Sequence, residues 1–253
     1  MIVKLPITSS ITSVLAAAAL SVAGLLAAPA QALTAEADAT ARDTTYAAPA
    51  VGSCHAYTFR QATKRSETSA PVDCAASHTG LTLAVTTVRS LKSDRAVARA
   101  AQKCDRTVRG TVGSLLPSTA FSTRFFLPSK AEAKQGARWL RCDIVLLGGR
   151  ATLAPLPVDY LASPPTDATA LCAVTQKKVT TATVCSSRHD YRYTAHYKAR
   201  GKRYPGDTKL LRSVIVTCAK KVSTPKKFWA FYPDQSEWNA GYRQVSCLSH
   251  AKA

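Results

Sequence analysis

The stretch FLPSKAEAKQGARWLRC at residues 126–142 is repeated in outline by FYPDQSEWNAGYRQVSC at residues 231–247, at a constant offset of 105. Six positions are identical in the two stretches: Phe126/Phe231, Pro128/Pro233, Glu132/Glu237, Gly136/Gly241, Arg138/Arg243 and Cys142/Cys247. A repeat at a fixed spacing indicates that one structural unit occurs twice in the chain.

The cysteines extend this repeat towards the N-terminus. They form two quartets in matching order: Cys54, Cys74, Cys104, Cys142, and then Cys172, Cys185, Cys218, Cys247. In each quartet the second cysteine opens the pattern Cys-x3-His, which ends at His78 or at His189. The repeat therefore predicts two tandem modules, at residues 51–149 and 170–253. The proline-rich segment 150–169 between them predicts an extended linker.

The N-terminus has the features of a secretory signal. Residues 11–28 are apolar, and Ala30-Gln31-Ala32 offers the small residues that a signal peptidase reads, which predicts a signal peptide at 1–32. An uncleaved membrane anchor is the alternative, since about 18 apolar residues span a bilayer. Residues 33–50 show no periodicity and predict a flexible leader. We therefore expect a secreted or envelope-associated protein with no transmembrane span once the signal is removed.

Export favours oxidised cysteines. An even number of cysteines outside the cytoplasm predicts disulfides, although four cysteines in a module allow three pairings. We favour the pairing of first with second and of third with fourth: Cys54–Cys74, Cys104–Cys142, Cys172–Cys185 and Cys218–Cys247. A zinc site is the alternative, because Cys and His a few residues apart can chelate zinc. The chain has no Cys-x2-Cys pair, so we predict no metal and no cofactor.

Hydrophobic periodicity predicts the same elements in each module. Alternating residues predict strands at 81–88 and 191–197, and apolar runs predict closing strands at 140–147 and 242–248. Two helices are expected to start at Asp94 and Asp207 and to carry Cys104 and Cys218. The apolar face of the second helix is predicted from Leu210, Leu211, Val214, Ile215, Cys218 and Val222. The predicted fold is α+β, with two small disulfide-stapled modules, each a short antiparallel sheet with one helix.

No catalytic set stands out among the histidines. His78 and His189 occupy matching places, but only His189 is followed by an acid, Asp190. A serine or cysteine nucleophile needs a base and a third group that orients it, and no such motif accompanies either histidine. A histidine that closes a tight turn after a disulfide explains both positions. We therefore predict that the protein is not an enzyme; the alternative is an enzyme that acts on envelope polymer through His78 or His189.

The repeated Gly-x-Arg-x3-Cys pattern predicts a structural turn. Gly136 and Gly241 supply a backbone conformation that other residues rarely adopt. Arg138 and Arg243 then either brace that turn or form ion pairs with the repeated glutamates, Glu132 and Glu237.

The formal net charge is +19, and removal of Lys4 with the signal reduces it by one, to +18. Such a charge draws a protein to polyanions. The candidate binding residues are a helical stripe and a loop cluster: Lys92, Arg95, Arg99, Lys103 and Arg106, and then Lys198, Arg200, Lys202 and Arg203. A solvated surface without a ligand is the alternative. No nucleic-acid-binding motif is present, so we predict no specific nucleic-acid partner.

Several motifs together resemble the septum formation domain of actinobacterial envelope proteins. They are Gly52-Ser53-Cys54, Val72-Asp73-Cys74-x3-His78, a helical cysteine, and Trp238-x2-Gly241-x-Arg243-x3-Cys247. Ser53 stands where that family has an acid, and Ala133 stands where Trp238 occurs in the second copy. The resemblance implies an exported or membrane-linked envelope protein tied to cell division, and it implies no reaction.

These observations predict a non-enzymatic envelope protein with a basic surface. Its expected partner is an anionic cell-envelope polymer, a lipid surface or an acidic protein. A purely structural module without a fixed ligand is the remaining alternative.

Overall fold

Two antiparallel sheets and two long helices form the framework of the described part of the chain. The computed structural model describes residue 46 and residues 48–251. The predicted signal peptide at 1–32 and most of the predicted leader at 33–50 lie outside these residues. Within the described residues, no helix has both the length and the apolar composition needed to cross a membrane.

The described residues form ten strands, five α-helices and one 3-10 helix. The strands are β1 (Cys54–His55), β2 (Gly80–Thr87), β3 (Phe121–Phe126), β4 (Trp139–Leu147), β5 (Leu153–Ala154), β6 (Leu171–Gln176), β7 (Val179–Val184), β8 (Tyr191–Lys198), β9 (Phe228–Phe231) and β10 (Gln244–His250). The helices are α1 (Phe59–Ala62), α2 (Asp94–Val112), α3 (Lys130–Lys134), α4 (Asp207–Ala219) and α5 (Gln235–Asn239), with a 3-10 helix at Gly113–Ser118. The predicted strands, β2, β4, β8 and β10, and both long helices are present. Six further strands had no bounds predicted from the sequence: β1, β3, β5, β6, β7 and β9.

The two sheets share one strand order. The first sheet runs β1-β2-β4-β3, with β5 added against β4, and the second runs β7-β6-β8-β10-β9. Strands β1, β2, β4 and β3 thus take the places that β6, β8, β10 and β9 take in the second sheet. Every strand pairing is antiparallel. The mixed helix-and-strand class is confirmed.

Helix α2 packs on the first sheet through one apolar face. Ser93 caps its N-terminus, accepting a hydrogen bond from the backbone of Ala96. Its buried residues recur at helical spacing and face β2 and β4: Ala100, Cys104, Val108 and Val112. The outer face is left to polar and charged residues, as the sequence predicts.

Helix α4 buries only part of its predicted apolar face. Leu210, Val214 and Cys218 are buried, whereas Leu211 is 42% exposed and Ile215 is 48% exposed. The buried row follows a spacing of four residues and faces the second sheet. Leu211 and Ile215 each follow a buried residue directly and therefore lie about 100° further round the helix.

The segment 150–169 contributes to the packing. Leu153–Ala154 form β5 beside β4, and the Leu156 amide donates a 2.9 Å hydrogen bond to the His78 carbonyl. One apolar cluster also joins the two halves of the chain: it includes Val108 and Leu146 of the first half and Leu171, Val184 and Leu248 of the second. The two halves therefore share a core.

The eight cysteines lie at disulfide distance in the favoured pairing. The Cα separations run from 5.0 Å for Cys172–Cys185 to 6.0 Å for Cys104–Cys142. In each half one bridge joins the long helix to the closing strand, and the other joins the first strand to a later segment.

Digestion of the unreduced protein should yield four cross-linked peptide pairs, because each cysteine has its partner within the same half. Mass spectrometry before and after reduction identifies each pair. A peptide that joins a cysteine of 54–142 to a cysteine of 172–247, or a free thiol labelled without reduction, would contradict this pairing.

Candidate functional site

A cationic groove lies where α2 meets the turn before β10. Its cavity volume is about 470 Å³, and both halves of the chain line it. Arg106 and Arg109 come from α2, and Lys198 and Arg243 come from the end of β8 and the turn before β10. Asp105 is the one acid in this lining, and it is paired with Arg109 at 2.9 Å. The groove therefore carries an excess of positive charge.

Two contacts hold Arg109 in place at this groove. Its Nε donates a 2.9 Å hydrogen bond to Asp105, and its guanidinium carbon lies 3.5 Å from the centre of the Tyr242 ring. Its two terminal nitrogens have no hydrogen-bond partner among the described residues. A guanidinium fixed in this way can bind an anion without losing further side-chain freedom.

A second, shallower cavity of about 650 Å³ continues the basic surface along the loop after β8. Lys198, Gly241 and Arg243 line both cavities, so the two are neighbours. Arg200 and Lys202 add two cations to the second cavity. The two cavities therefore form one continuous basic surface.

Arg243 acts as a positioning residue in this surface. It donates to the carbonyls of Trp238 and Tyr242 in its own turn, and to the carbonyls of Gly201 and Lys202 in the loop after β8. Its guanidinium carbon also lies 4.0 Å from the centre of the Trp238 ring. The arginine thus fixes the loop against the turn, and its hydrogen bonds go to the protein.

The same turn occurs in the first half. Arg138 donates to the carbonyls of Ala133 and Ala137, five residues and one residue before it, as Arg243 does in its own turn. Gly136 and Gly241 have φ values of +105° and +96°, which side chains rarely tolerate. The sequence left two roles open for these arginines, bracing the turn or pairing with a glutamate. In the structure both arginines brace their turns.

The repeated glutamates serve helix caps rather than these arginines. Glu132 accepts a hydrogen bond from the Ser129 amide, and Ser129 accepts one from the Glu132 amide. Glu237 and Asp234 form the same reciprocal pair at the start of α5. Both short helices therefore begin with a capping box.

All nine predicted cations are exposed. Arg106 and Lys198 line the 470 Å³ cavity, and Lys198, Arg200 and Lys202 line its neighbour. The other predicted cations lie outside both cavities: Lys92, Arg95, Arg99, Lys103 and Arg203. Lys92 precedes the helix, which Ser93 caps, and is not part of the helical stripe. Among the described residues, none of the nine takes part in an ion pair.

Arg109 and Tyr242 are site residues that the sequence analysis missed. Arg109 lies about 60° round the helix from Arg106, at the edge of the predicted stripe. Tyr242 belongs to the other half of the chain, so its contact with Arg109 depends on how the halves pack. In the sequence, Arg109 could have been found as an arginine next to the predicted stripe of cations on the helix.

His78 and His189 each close a turn. The Nδ1 atom of His78 lies 2.9 Å from the Ala76 carbonyl, and that of His189 lies 2.8 Å from the Ser187 carbonyl. Both rings are buried. Cys74 and Cys185 are in disulfides, so neither Cys-x3-His pattern presents a thiolate for metal binding.

A buried cluster of charged residues lies on one face of the first sheet, and Arg141 is at its centre. Arg141, 1% exposed at its side chain, lies 2.8 Å from a Glu67 oxygen and 3.0 Å from an Asp143 oxygen. The hydroxyls of Tyr57 and Thr82 donate hydrogen bonds to Asp143 at 3.0 and 2.9 Å. Burial opposes ionisation of Glu67, but hydrogen bonds from Ser69 and Arg141 hold its pKa below the usual value.

The second half has no counterpart of this cluster at the matching positions. Arg141 and Asp143 flank Cys142, whereas Ser246 and Leu248 flank Cys247. Two charged residues in an otherwise apolar strand, Arg141 and Asp143, are the sequence signal for this cluster, which was not among the predicted sites.

Ser53, His55 and Glu67 have the residue types of a hydrolytic triad but not its geometry. Ser53 Oγ lies 3.0 Å from His55 Nε2, yet it donates a 2.7 Å hydrogen bond to the Ala50 carbonyl. His55 Nδ1 is 3.9 Å from the nearest Glu67 oxygen, which is too long for a hydrogen bond. Burial, assisted by the Arg141 charge, lowers the pKa of His55 to about 4. The arrangement lacks the oriented general base that a serine nucleophile needs.

Comparison with known families identifies the chain. The septum formation family matches residues 51–247, which include both halves. The chain belongs to the septum formation family. This membership and the disulfides are consistent with a location outside the cytoplasm and with an envelope protein connected with cell division. No curated protein and no solved structure shows significant similarity to the chain.

Replacement of Arg141 should destabilise the fold strongly. Arg141→Met leaves the buried carboxyl groups of Glu67 and Asp143 without their cationic partner, which typically costs about 3–5 kcal/mol in the free energy of unfolding. Urea unfolding at neutral pH measures the change. Arg150→Met, at an exposed position, is the matched control and should change stability by about 0.5 kcal/mol or less. Similar losses for the two variants would contradict the role given to the cluster.

Acid should destabilise the protein partly through His55. The pKa of His55 is about 4 in the folded state, whereas an ordinary histidine, as in the unfolded chain, has a pKa of 6.5. The unfolded chain therefore takes up the proton first as pH falls. Stability is therefore expected to fall between pH 6.5 and about pH 4. In His55→Gln the urea midpoint should depend less on pH over this window, while His196→Gln at an exposed position should keep the wild-type slope. An unchanged slope in His55→Gln would refute the assignment.

Proposed function

We propose that this member of the septum formation family is a non-enzymatic envelope protein that binds an anionic polymer in the groove between α2 and the turn before β10. The proposed setting is cell division, which rests on the family. The observation that carries the proposal is the convergence of Arg106, Arg109 and Lys198 on one groove whose single acid is already paired.

Electrostatics support an anionic ligand. The chain carries a formal net charge of +19, and Arg106 and Lys198 are exposed without an ion-pair partner among the described residues. Uncompensated cations in a concave surface raise the local potential and attract polyanions. Arg109 adds a guanidinium that the protein already holds in place.

The shape of the surface supports a polymer over a small molecule. The two neighbouring cavities share Lys198 and continue along the loop that carries Arg200 and Lys202. A chain of repeating negative charges can contact these cations in succession. The expected ligands are wall polymers rich in phosphate or carboxylate groups.

We further propose that the chain is a duplicated module, with copies at 51–149 and 170–253. The common strand order, the capping boxes of α3 and α5, and the bracing contacts of Arg138 and Arg243 support the duplication. The groove takes Arg109 from one copy and Tyr242 from the other. Duplication would thus create a site that a single copy lacks.

The proposal that the protein is not an enzyme rests on the geometry of its histidines. His78 and His189 use their Nδ1 atoms in local turns, and His55 is paired with a serine whose hydroxyl donates elsewhere. A binding protein needs no general base, so these arrangements are compatible with binding alone.

Neutralisation of the groove should weaken polymer binding. We expect Arg106→Gln/Arg109→Gln/Lys198→Gln to lower the affinity for fluorescein-labelled polyphosphate at least about tenfold, since each cation near a polyanionic surface contributes about 1 kcal/mol. Fluorescence anisotropy at low salt and at about 0.15 M salt measures the affinity and its screening.

The matched control is Arg60→Gln/Lys64→Gln/Lys130→Gln, which removes the same charge from exposed positions outside the groove. Its affinity should stay within about threefold of wild type, because screening limits the reach of distant charges. Equal losses in the two triple variants would show that binding follows net charge alone. Full binding by the groove variant would show that the groove is not the site.

A further inference from the structure

Helix α4 exposes large apolar side chains beside and opposite its buried row. Leu211, Ile215 and Val216 are 42%, 48% and 58% exposed. No large apolar side chain of α2 is exposed to a comparable degree. The two long helices occupy matching places in the repeat. The outer faces of α4 and α2 therefore differ in side-chain type, since only α4 exposes large apolar residues.

The segment that carries this apolar patch is rich in cations. Residues 208–233 contain no Asp or Glu and six exposed Lys or Arg residues: Lys209, Arg212, Lys220, Lys221, Lys226 and Lys227. At 100° per residue, Arg212 projects between Ile215 and Val216, and Lys209 projects just beyond Val216. The one acid of the helix is Asp207 at its N-terminus, which accepts a hydrogen bond from the Tyr204 hydroxyl.

We propose that the outer face of α4 docks on the surface of an anionic lipid bilayer. Leu211, Ile215 and Val216 enter the boundary between headgroups and acyl chains, and the lysines and arginine of the same segment bind lipid phosphates. Helices that lie in a membrane interface likewise combine apolar side chains that enter the acyl boundary with Lys and Arg side chains that are attracted to anionic lipid. The site is separate from the groove and does not rest on polymer binding there.

Charge decides between a bilayer and other occupants of this face. A soluble polyanion would pair with the cations but leave Leu211, Ile215 and Val216 in water. A second copy of the chain would bring its own six cations against these six, and like charges at an interface repel. An anionic bilayer satisfies both the apolar and the basic side chains.

Vesicle binding tests the proposal. We expect the purified protein to sediment with vesicles of phosphatidylglycerol and phosphatidylcholine and to bind weakly to vesicles of phosphatidylcholine alone. Ile215→Ser/Val216→Ser should lower the partition coefficient on the anionic vesicles about tenfold, because burial of apolar surface no longer contributes. Both side chains are exposed, so the fold should be retained, which circular dichroism checks.

The matched control is Val158→Ser/Leu161→Ser. Val158 and Leu161 are 81% and 42% exposed, and residues 151–176 around them contain no Lys or Arg. This variant should bind the anionic vesicles as wild type does. Equal losses in the two variants, or wild-type binding by Ile215→Ser/Val216→Ser, would overturn the proposal.

Two further outcomes separate this site from the alternatives. Light scattering that shows a wild-type dimer and a monomeric Ile215→Ser/Val216→Ser variant would assign the face to a second copy of the chain and overturn the lipid proposal. Loss of vesicle binding in the groove triple variant alone would place the lipid at the groove, with the same consequence. Polyphosphate binding by Ile215→Ser/Val216→Ser should equal that of wild type, so a negative vesicle result leaves the groove proposal standing.

Discussion

The disulfide between the long helix and the closing strand is the constraint on which the rest of this structure depends. Cys104 of α2 joins Cys142 of β4, and Cys218 of α4 joins Cys247 of β10, with all four residues at most 1% exposed. Each bridge fixes which face of its helix meets the sheet. The opposite face and the edges of the helix are then presented to solvent or to the other half. The position of Arg109 beside the turn before β10 follows from this fixed rotation of α2.

The two halves stabilise the start of their sheets in different ways. In the second half, β6 and β7 form a hairpin, and 13 residues separate the two cysteines that bridge it. In the first half the corresponding separation is 20 residues, and Glu67 lies in the irregular part of that segment. Arg141 binds Glu67 and so anchors the segment to β4 where a strand ladder is missing. Buried ion pairs add little net stability but are costly to break, so this cluster specifies the path of the chain more than it strengthens the core.

Sequence periodicity was sufficient for elements that depend on local pattern. The starts of α2 and α4 follow from spacing. The pairing of third with fourth cysteine was favoured among three possible pairings, because a helix and its closing strand recur in both halves, and the structure has this pairing. Periodicity did not predict which apolar residues of α4 are buried, since Leu211 and Ile215 fit an apolar face as well as Leu210 and Val214 do. Sequence periodicity does not predict contacts between the two halves of the chain. Arg109 and Tyr242 meet only because the halves pack together, and no pattern within either half encodes that meeting.

The proposed polymer groove and the proposed lipid-binding face of α4 use positive charge in physically different ways. In the groove, Arg109 is held by Asp105 and Tyr242, so its planar guanidinium is oriented before an anion arrives. Around α4, five of the six cations are lysines on flexible stems, which can extend along apolar surface and keep their charges at a headgroup plane. An oriented guanidinium suits a ligand with discrete anionic groups, whereas flexible lysines suit a fluid anionic surface. One basic protein can therefore carry two anion-binding surfaces of different selectivity, because side-chain type and preorganisation decide what each surface recognises.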